Sequence, residues 1–198
     1  MNLDSFEKEL RALIGRPTTL RPFVCDGSPL TCTVFLVGLN PATSLNTDFW
    51  SFWESGRGFA KARWYESYLA DRADKPLKPG KKIRLKVSPT RRNIDAFVEG
   101  AGDVRVLETN IYASASADLR SLEHKDRETT PFEFLLESIR PKVIVVHGKP
   151  AIEEITRLNF PSRVIAADSH FSRGTSKETA RKLGARAAMM TLFPNALS

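Results

Sequence analysis

Leu3, Phe6, Leu10, Leu13 and Ile14 recur at the spacing of a helix buried along one side, and Gly15 and Pro17 close the pattern. Thr33 to Leu39 (TVFLVGL) is a continuous apolar run ended by Gly and Pro signals, the pattern of a strand covered on both faces. Residues 59–72 read as a helix, with Phe59, Tyr65, Tyr68 and Leu69 on or near one face. Ile94, Phe97 and Val98 predict another helix from about Thr90 to Glu99, with Gly100 as its stop. A second strand is expected over Val104 to Tyr112 (VRVLETNIY). Thr130-Pro131-Phe132-Glu133 then combines a capping box with Pro at the first helical position, opening a helix that buries Phe132, Leu135, Leu136 and Ile139. Val143 to Val146 is a third strand, Pro150 to Leu158 a helix, Arg163 to Ala167 a fourth strand, and Thr175 to about Thr191 a closing helix.

Apolar strands alternating with helices predict an α/β fold: a three-layer sandwich with a central, mostly parallel four-stranded sheet and helices on both faces. No repeat or low-complexity segment divides the 198 residues, so one domain over 1–198 is expected, carrying a basic loop or insert at about 75–92.

Composition and charge narrow the function classes. No apolar stretch approaches the roughly 20 residues that span a bilayer. The N-terminus carries Asp4, Glu7 and Glu9 where a targeting signal would be basic and then apolar, so a cytoplasmic protein with no membrane partner is expected. Cys25 and Cys32 are the only cysteines, too few for a four-cysteine zinc or iron–sulfur site, although a disulfide between them stays open. His124, His147 and His170 lack the close spacing of paired ligands on one helix face. Neither metal nor cofactor is expected. The net charge of +7 favours an anionic partner, nucleic acid first. Between Lys75 and Arg92 stand eight basic residues and no acidic one: Lys75, Lys78, Lys81, Lys82, Arg84, Lys86, Arg91 and Arg92. Such a run is usually a solvated face, so alone it argues only weakly for phosphate contact.

In an open parallel sheet, ligands bind beyond the carboxyl ends of the strands. After the first predicted strand come Gly38, Leu39, Asn40, Pro41, Ala42 and Thr43; near the end of the second, Thr109 and Asn110; after the third, His147, Gly148 and Lys149; after the fourth, Asp168, Ser169, His170, Phe171, Ser172 and Arg173. Asn40 before Pro41, taken alone, reads as a turn residue or helix cap. Asn110 in an apolar strand is either a structural hydrogen-bonder or a ligand reader. His147 reads as a structural histidine. No Gly-x-Ser-x-Gly elbow, Gly-x-Gly-x-x-Gly turn or P-loop occurs, which removes the hydrolase-elbow, dinucleotide and P-loop readings.

Taken in order, the strand-end motifs resemble those of the uracil-DNA glycosylase superfamily. Val37-Gly38-Leu39-Asn40-Pro41-Ala42 is similar to the first motif of the mismatch-specific uracil/thymine-DNA glycosylases. Val106-Leu107-Glu108-Thr109-Asn110 resembles the strand whose Asn reads the uracil edge, and Ile144-Val145-Val146-His147-Gly148 the strand before the penultimate helix. Ser169-His170-Phe171-Ser172-Arg173 is similar to the final His-Pro-Ser motif, with Phe171 in the place of Pro and Arg173 near the family's apolar wedge. The resemblance implies excision of a flipped-out uracil or related base from DNA. It implies Asn40 and His170 as catalytic residues, the first holding the attacking water and the second donating to the base O2. Gly38, Leu39, Pro41 and Asn110 would bind the base, and Phe59 would stack on it, with Trp50 in reserve. Lys149, Ser172, Arg173, Arg91 and Arg92 would contact the DNA backbone of a monomeric protein. Two other readings remain: a nucleic-acid- or base-binding protein on the same fold without excision, and an enzyme acting on free nucleosides or nucleotides.

Overall fold

A computed structural model of the chain describes every residue except 43, 78–79, 81, 117–120, 159 and 194–198. Lys78 and Lys81 of the basic run, and Thr43 after the first motif, therefore lie outside the described residues. Among those described, the chain forms six α-helices and seven strands.

α1 (Leu3–Ile14) starts where the Asn2 side chain accepts a hydrogen bond from the Ser5 N–H at 2.9 Å, and stops at Gly15, whose φ of +75° suits a residue without a side chain. After it come the two-residue strand β1 (Phe23–Val24) and the fully buried β2 (Val34–Gly38). A short hairpin, β3 (Trp53–Glu54) with β4 (Gly58–Phe59), precedes α2 (Lys61–Asp74). That hairpin takes Phe59 as a strand residue, so α2 begins two residues later than the predicted 59–72 span. α3 (Pro89–Ala101) begins at Ser88, whose hydroxyl caps the Arg91 N–H, and β5 (Val106–Asn110) follows. The chain closes with α4 (Thr130–Ile139), β6 (Val143–Val146), α5 (Lys149–Leu158), β7 (Arg163–Ala166) and α6 (Lys177–Leu192). Thr129, rather than the expected Thr130, is the cap residue of α4; its hydroxyl bonds the Glu133 carboxylate at 2.6 Å.

The structure is α/β with a mixed central sheet of five strands in the order β1-β5-β2-β6-β7. β5, β2, β6 and β7 run parallel, and β1 lies antiparallel on β5. The four-stranded expectation is thus corrected by one edge strand, which is too short to show any periodicity. Alternation along the strands divides the core. Phe35, Val37, Leu107, Ile144 and Val146 pack with Phe6 and Leu10 of α1, Phe132 and Leu135 of α4, and Ile155 of α5. Val34, Leu36, Val106, Val143 and Val145 pack with Ala96 and Phe97 of α3 and Ala180 and Ala187 of α6. Each large apolar side chain so enclosed contributes about 1.5–3 kcal/mol. Phe49, Trp50, Phe52 and Trp53 join the first cluster, and the Trp50 indole N–H donates to the Gly15 carbonyl at 2.7 Å.

Gly100 does not stop α3; the helix runs past it to Gly102, whose φ is +60°. A Cβ at Gly100 would stand 2.0 Å from the Arg181 carbonyl oxygen, and one at Gly184 2.0 Å from that of Phe97. The two glycines let α3 and α6 touch backbone to backbone. No helix among the described residues is long and apolar enough to cross a membrane. Cys25 and Cys32 are buried free thiols.

Candidate active site

Side chains alternate along a strand, so Glu108 and Asn110 of β5 share the α3/α6 face of the sheet with Gly38 of β2 and His147, which directly follows β6. Register sets Gly38 opposite Asn110. The strand ends therefore form a row, Asn110–Gly38–His147, at the carboxyl edge. Gly38 is the gap in that row: a Cβ there would lie 2.7 Å from the Asn110 Oδ1 and 3.3 Å from both Cε1 and Nε2 of His147. Two polar side chains converge over one residue that has none. The Asn110 amide makes no hydrogen bond to any described residue.

The chain beyond β2 is stitched to the chain beyond β5. Ile111 N–H donates to the Gly38 carbonyl at 3.0 Å, Tyr112 N–H to that of Leu39 at 2.9 Å, and Ser116 N–H to that of Pro41 at 2.9 Å. Asn40 is held within this lattice. Its Nδ2 donates to the carbonyls of Pro41 and Ser116, both at 3.2 Å, and to the Ser116 hydroxyl at 2.9 Å. The amide nitrogen is thereby consumed, and Oδ1 is left as an acceptor with no donor among the described residues. Asn40 is accordingly no helix cap. Ser116, which fixes it, stands in a stretch with no pattern that singles it out.

After β7 the chain turns through Ser169–Gly174. His170 Nδ1 accepts from the Ser172 N–H at 3.0 Å and lies 2.7 Å from the Ser172 hydroxyl. A nitrogen that accepts from a backbone N–H carries no proton in the neutral ring, so the proton is on Nε2, which is left as a donor. Partial burial, and then the Arg173 charge, lower the His170 pKa below its ordinary 6.5, keeping the ring neutral at pH 7. The loop is anchored beneath by Asn93 of α3, whose Nδ2 donates to the carbonyls of Phe171 and Thr175 at 2.8 Å. Phe171 is fully buried and stacks on His147, centroids 4.5 Å apart and planes 11° apart; His147 in turn meets His170 edge-on at 5.0 Å. Gly148 keeps the contact open, because a Cβ there would come within 2.7 Å of the His170 Cδ2.

Gly38, Leu39, Asn40, Pro41, Asn110 and His170 are thus brought to one sheet edge. Lys149, Ser172 and Arg173 stand exposed beside them, and Arg92 is exposed on α3. Two assignments are corrected. Phe59 is 1% exposed, packed against Phe23, Phe49 and Phe52, and cannot stack on a bound base. Trp50 is equally enclosed. Arg91 is 5% exposed and bonds Glu108 at 2.5 Å and Asp95 at 2.9 Å, an internal ion pair rather than a phosphate contact. Its position three residues into α3 turns it inward, toward a carboxylate that the sheet buries. His147 is the residue that sequence reasoning left out of the site; its place at a strand end, in line with Asn110, was the available signal.

Among the described residues no cluster of His, Cys, Asp and Glu could hold a metal ion. A concavity of about 850 Å³ opens at the opposite, amino edge of the sheet, where Lys142 precedes β6, Arg163 begins β7 and Met190 of α6 also lines the wall. It holds none of the strand-end groups, and parallel sheets present ligands at the other edge. No protein-family model matches the chain, and no curated protein matches it significantly.

Proposed function

We propose that the chain is a DNA base-excision glycosylase of the uracil-DNA glycosylase kind, built as a three-layer sandwich, that hydrolyses the N-glycosidic bond of a flipped-out uracil or related base. The observation that carries this reading is the tether on Asn40. With its nitrogen bound three times, its oxygen is the atom left to accept from a water. An amide is a poor base, but a water attacking an oxocarbenium-like sugar needs positioning more than deprotonation, and positioning alone supplies large rate factors. The C1′–N1 bond breaks with its electron pair moving into the base. Water oxygen bonds C1′, and the proton it sheds neutralises the departing base anion. His170 offers Nε2–H to O2, where that charge collects, without having to be protonated. Asn110 pairs its acceptor with N3–H and its donor with O4, the reverse of what cytosine presents. Lys149, Arg173, Ser172 and Arg92 bear on the phosphates of a DNA bound by a monomer.

One observation favours base binding without excision: both aromatic side chains assigned to stack on the base lie in the core. The two readings part in one assay. Oligonucleotides carrying a single uracil, single-stranded or opposite G or A, are incubated with the protein, and alkali reveals abasic sites. Cleavage lost in Asn40→Ala and His170→Ala supports excision; salt-sensitive binding with no cleavage on uracil or thymine-mismatch substrates replaces it with the binding reading.

A further inference from the structure

We infer that His147, resting on the glycosylase reading above, is a second hydrogen-bond donor to the O2 of the departing base, so that two histidines from adjacent strand ends share the charge that the reaction creates.

The argument starts from an unpaired group. His147 is 6% exposed, and its Nδ1 is enclosed without a hydrogen-bond partner. An orphaned buried N–H is rarer than an orphaned acceptor, since a bare lone pair loses less on leaving water. The ring therefore carries its proton on Nε2. Burial, with the His170 charge as the second cause, lowers its pKa to about 3, so the ring is neutral wherever the protein is folded near neutrality. That Nε2 is at the edge facing the Gly38 gap, and it too has no partner among the described residues.

The direction of the row then assigns the atoms. From β5 toward β6 it reads Asn110 Nδ2, Asn110 Oδ1 and His147 Nε2–H, which is donor, acceptor, donor. The imide edge of uracil or thymine reads O4, N3–H and O2, which is acceptor, donor, acceptor. That pattern is the same read from either end, so the row accepts either carbonyl toward β6; His170, to which the glycosylase reading gives O2, selects the orientation with O2 on that side. His170 stands on that same side, edge-on to His147 at 5.0 Å. Phe171 stacked on one face of His147 holds the ring in the plane this requires.

The test is single-turnover release from an oligonucleotide bearing one uracil and from its counterpart bearing 2-thiouracil, whose sulfur is a weak acceptor. His147→Phe keeps the stacking and removes the donor. Its uracil rate is expected to fall about 100-fold, the scale of one oxyanion donor, with oligonucleotide affinity unchanged. The thio effect is expected to shrink, and His147→Gln, which returns an N–H, to recover part of the rate. A His147→Phe variant with wild-type rate and wild-type thio effect would overturn the inference and leave the glycosylase reading standing. Wild-type protein inactive on every uracil substrate overturns both. Should His147→Phe not fold, the ¹⁵N shifts of His147 in the wild-type protein decide: protonation on Nε2 is expected, and protonation on Nδ1 overturns the inference.

Discussion

Glu108 stands on a central strand, where an unpaired carboxylate would cost several kcal/mol. Burial by itself pushes its pKa up, but Arg91 at 2.5 Å and Lys61 at 2.6 Å outweigh burial and hold it down at about 2. Because the folded value lies below the ordinary 4.5, the native state binds fewer protons than the unfolded chain in that interval. The stability this gives is complete above pH 4.5 and fades as the pH falls toward 2. Glu108→Gln, which leaves the buried Arg91 with Asp95 alone and takes the carboxylate from Lys61, is expected to cost about 3 kcal/mol at pH 7 and distinctly less at pH 3, by urea denaturation at both. Equal losses at the two pH values would contradict the ion-pair account. At this scale the sequence was half legible. Asn40, Asn110 and His170 were visible as polar residues at strand ends. Arg91 was not separable from its exposed neighbour Arg92, because a charge run does not reveal which member a helix turns inward. Phe59 and Trp50 were misplaced for a related reason: an aromatic near a motif gives no sign of whether it faces the ligand or the core.

Helix α3 lies against α6 across two glycines, and α3 also holds the loop carrying His170 through Asn93. In an isolated helix Gly→Ala stabilises by about 1 kcal/mol. Here the added methyl at Gly184 would sit 2.0 Å from a carbonyl oxygen, and a backbone cannot move aside as a side chain can. Gly184→Ala is expected to destabilise by about 1–3 kcal/mol, lowering Tm by roughly 2–4 °C for each kcal/mol. A rise in Tm would show that the helices are not in backbone contact. The elements themselves were largely readable. The four parallel strands fall within a residue or two of their predicted spans, since apolar runs bounded by turn residues have few other solutions. β1 escaped because two residues carry no period. Gly100 was misread because a helix stop and a close-packing glycine are the same letter; only the partner helix, distant in sequence, distinguishes them.

Over the whole molecule the net charge is +7, and part of the basic excess stands at the edge that holds the site. Lys149 and Arg173 follow strands there. The described part of the basic run leads into α3 from the same side, because Arg91 in the first turn of that helix reaches Glu108, near the carboxyl end of β5. Phosphate contacts release counterions, so the logarithm of DNA affinity should fall linearly with the logarithm of salt concentration. Lys149→Ala and Arg173→Ala are each expected to lower that slope by about 1, read from fluorescence-anisotropy titrations at several salt concentrations. Arg91→Ala is expected to lower stability and leave the slope unchanged. A slope unaffected by the first two would contradict phosphate contact at this edge.

The measurement that bears most directly on the central claim is the single-turnover rate of base release from a uracil-containing oligonucleotide, for wild type and Asn40→Ala side by side. The tethered amide predicts release by the wild type and a fall of at least about 100-fold in the variant, with oligonucleotide binding preserved. Equal rates in the two proteins, or no release by the wild type on any uracil substrate, would contradict it.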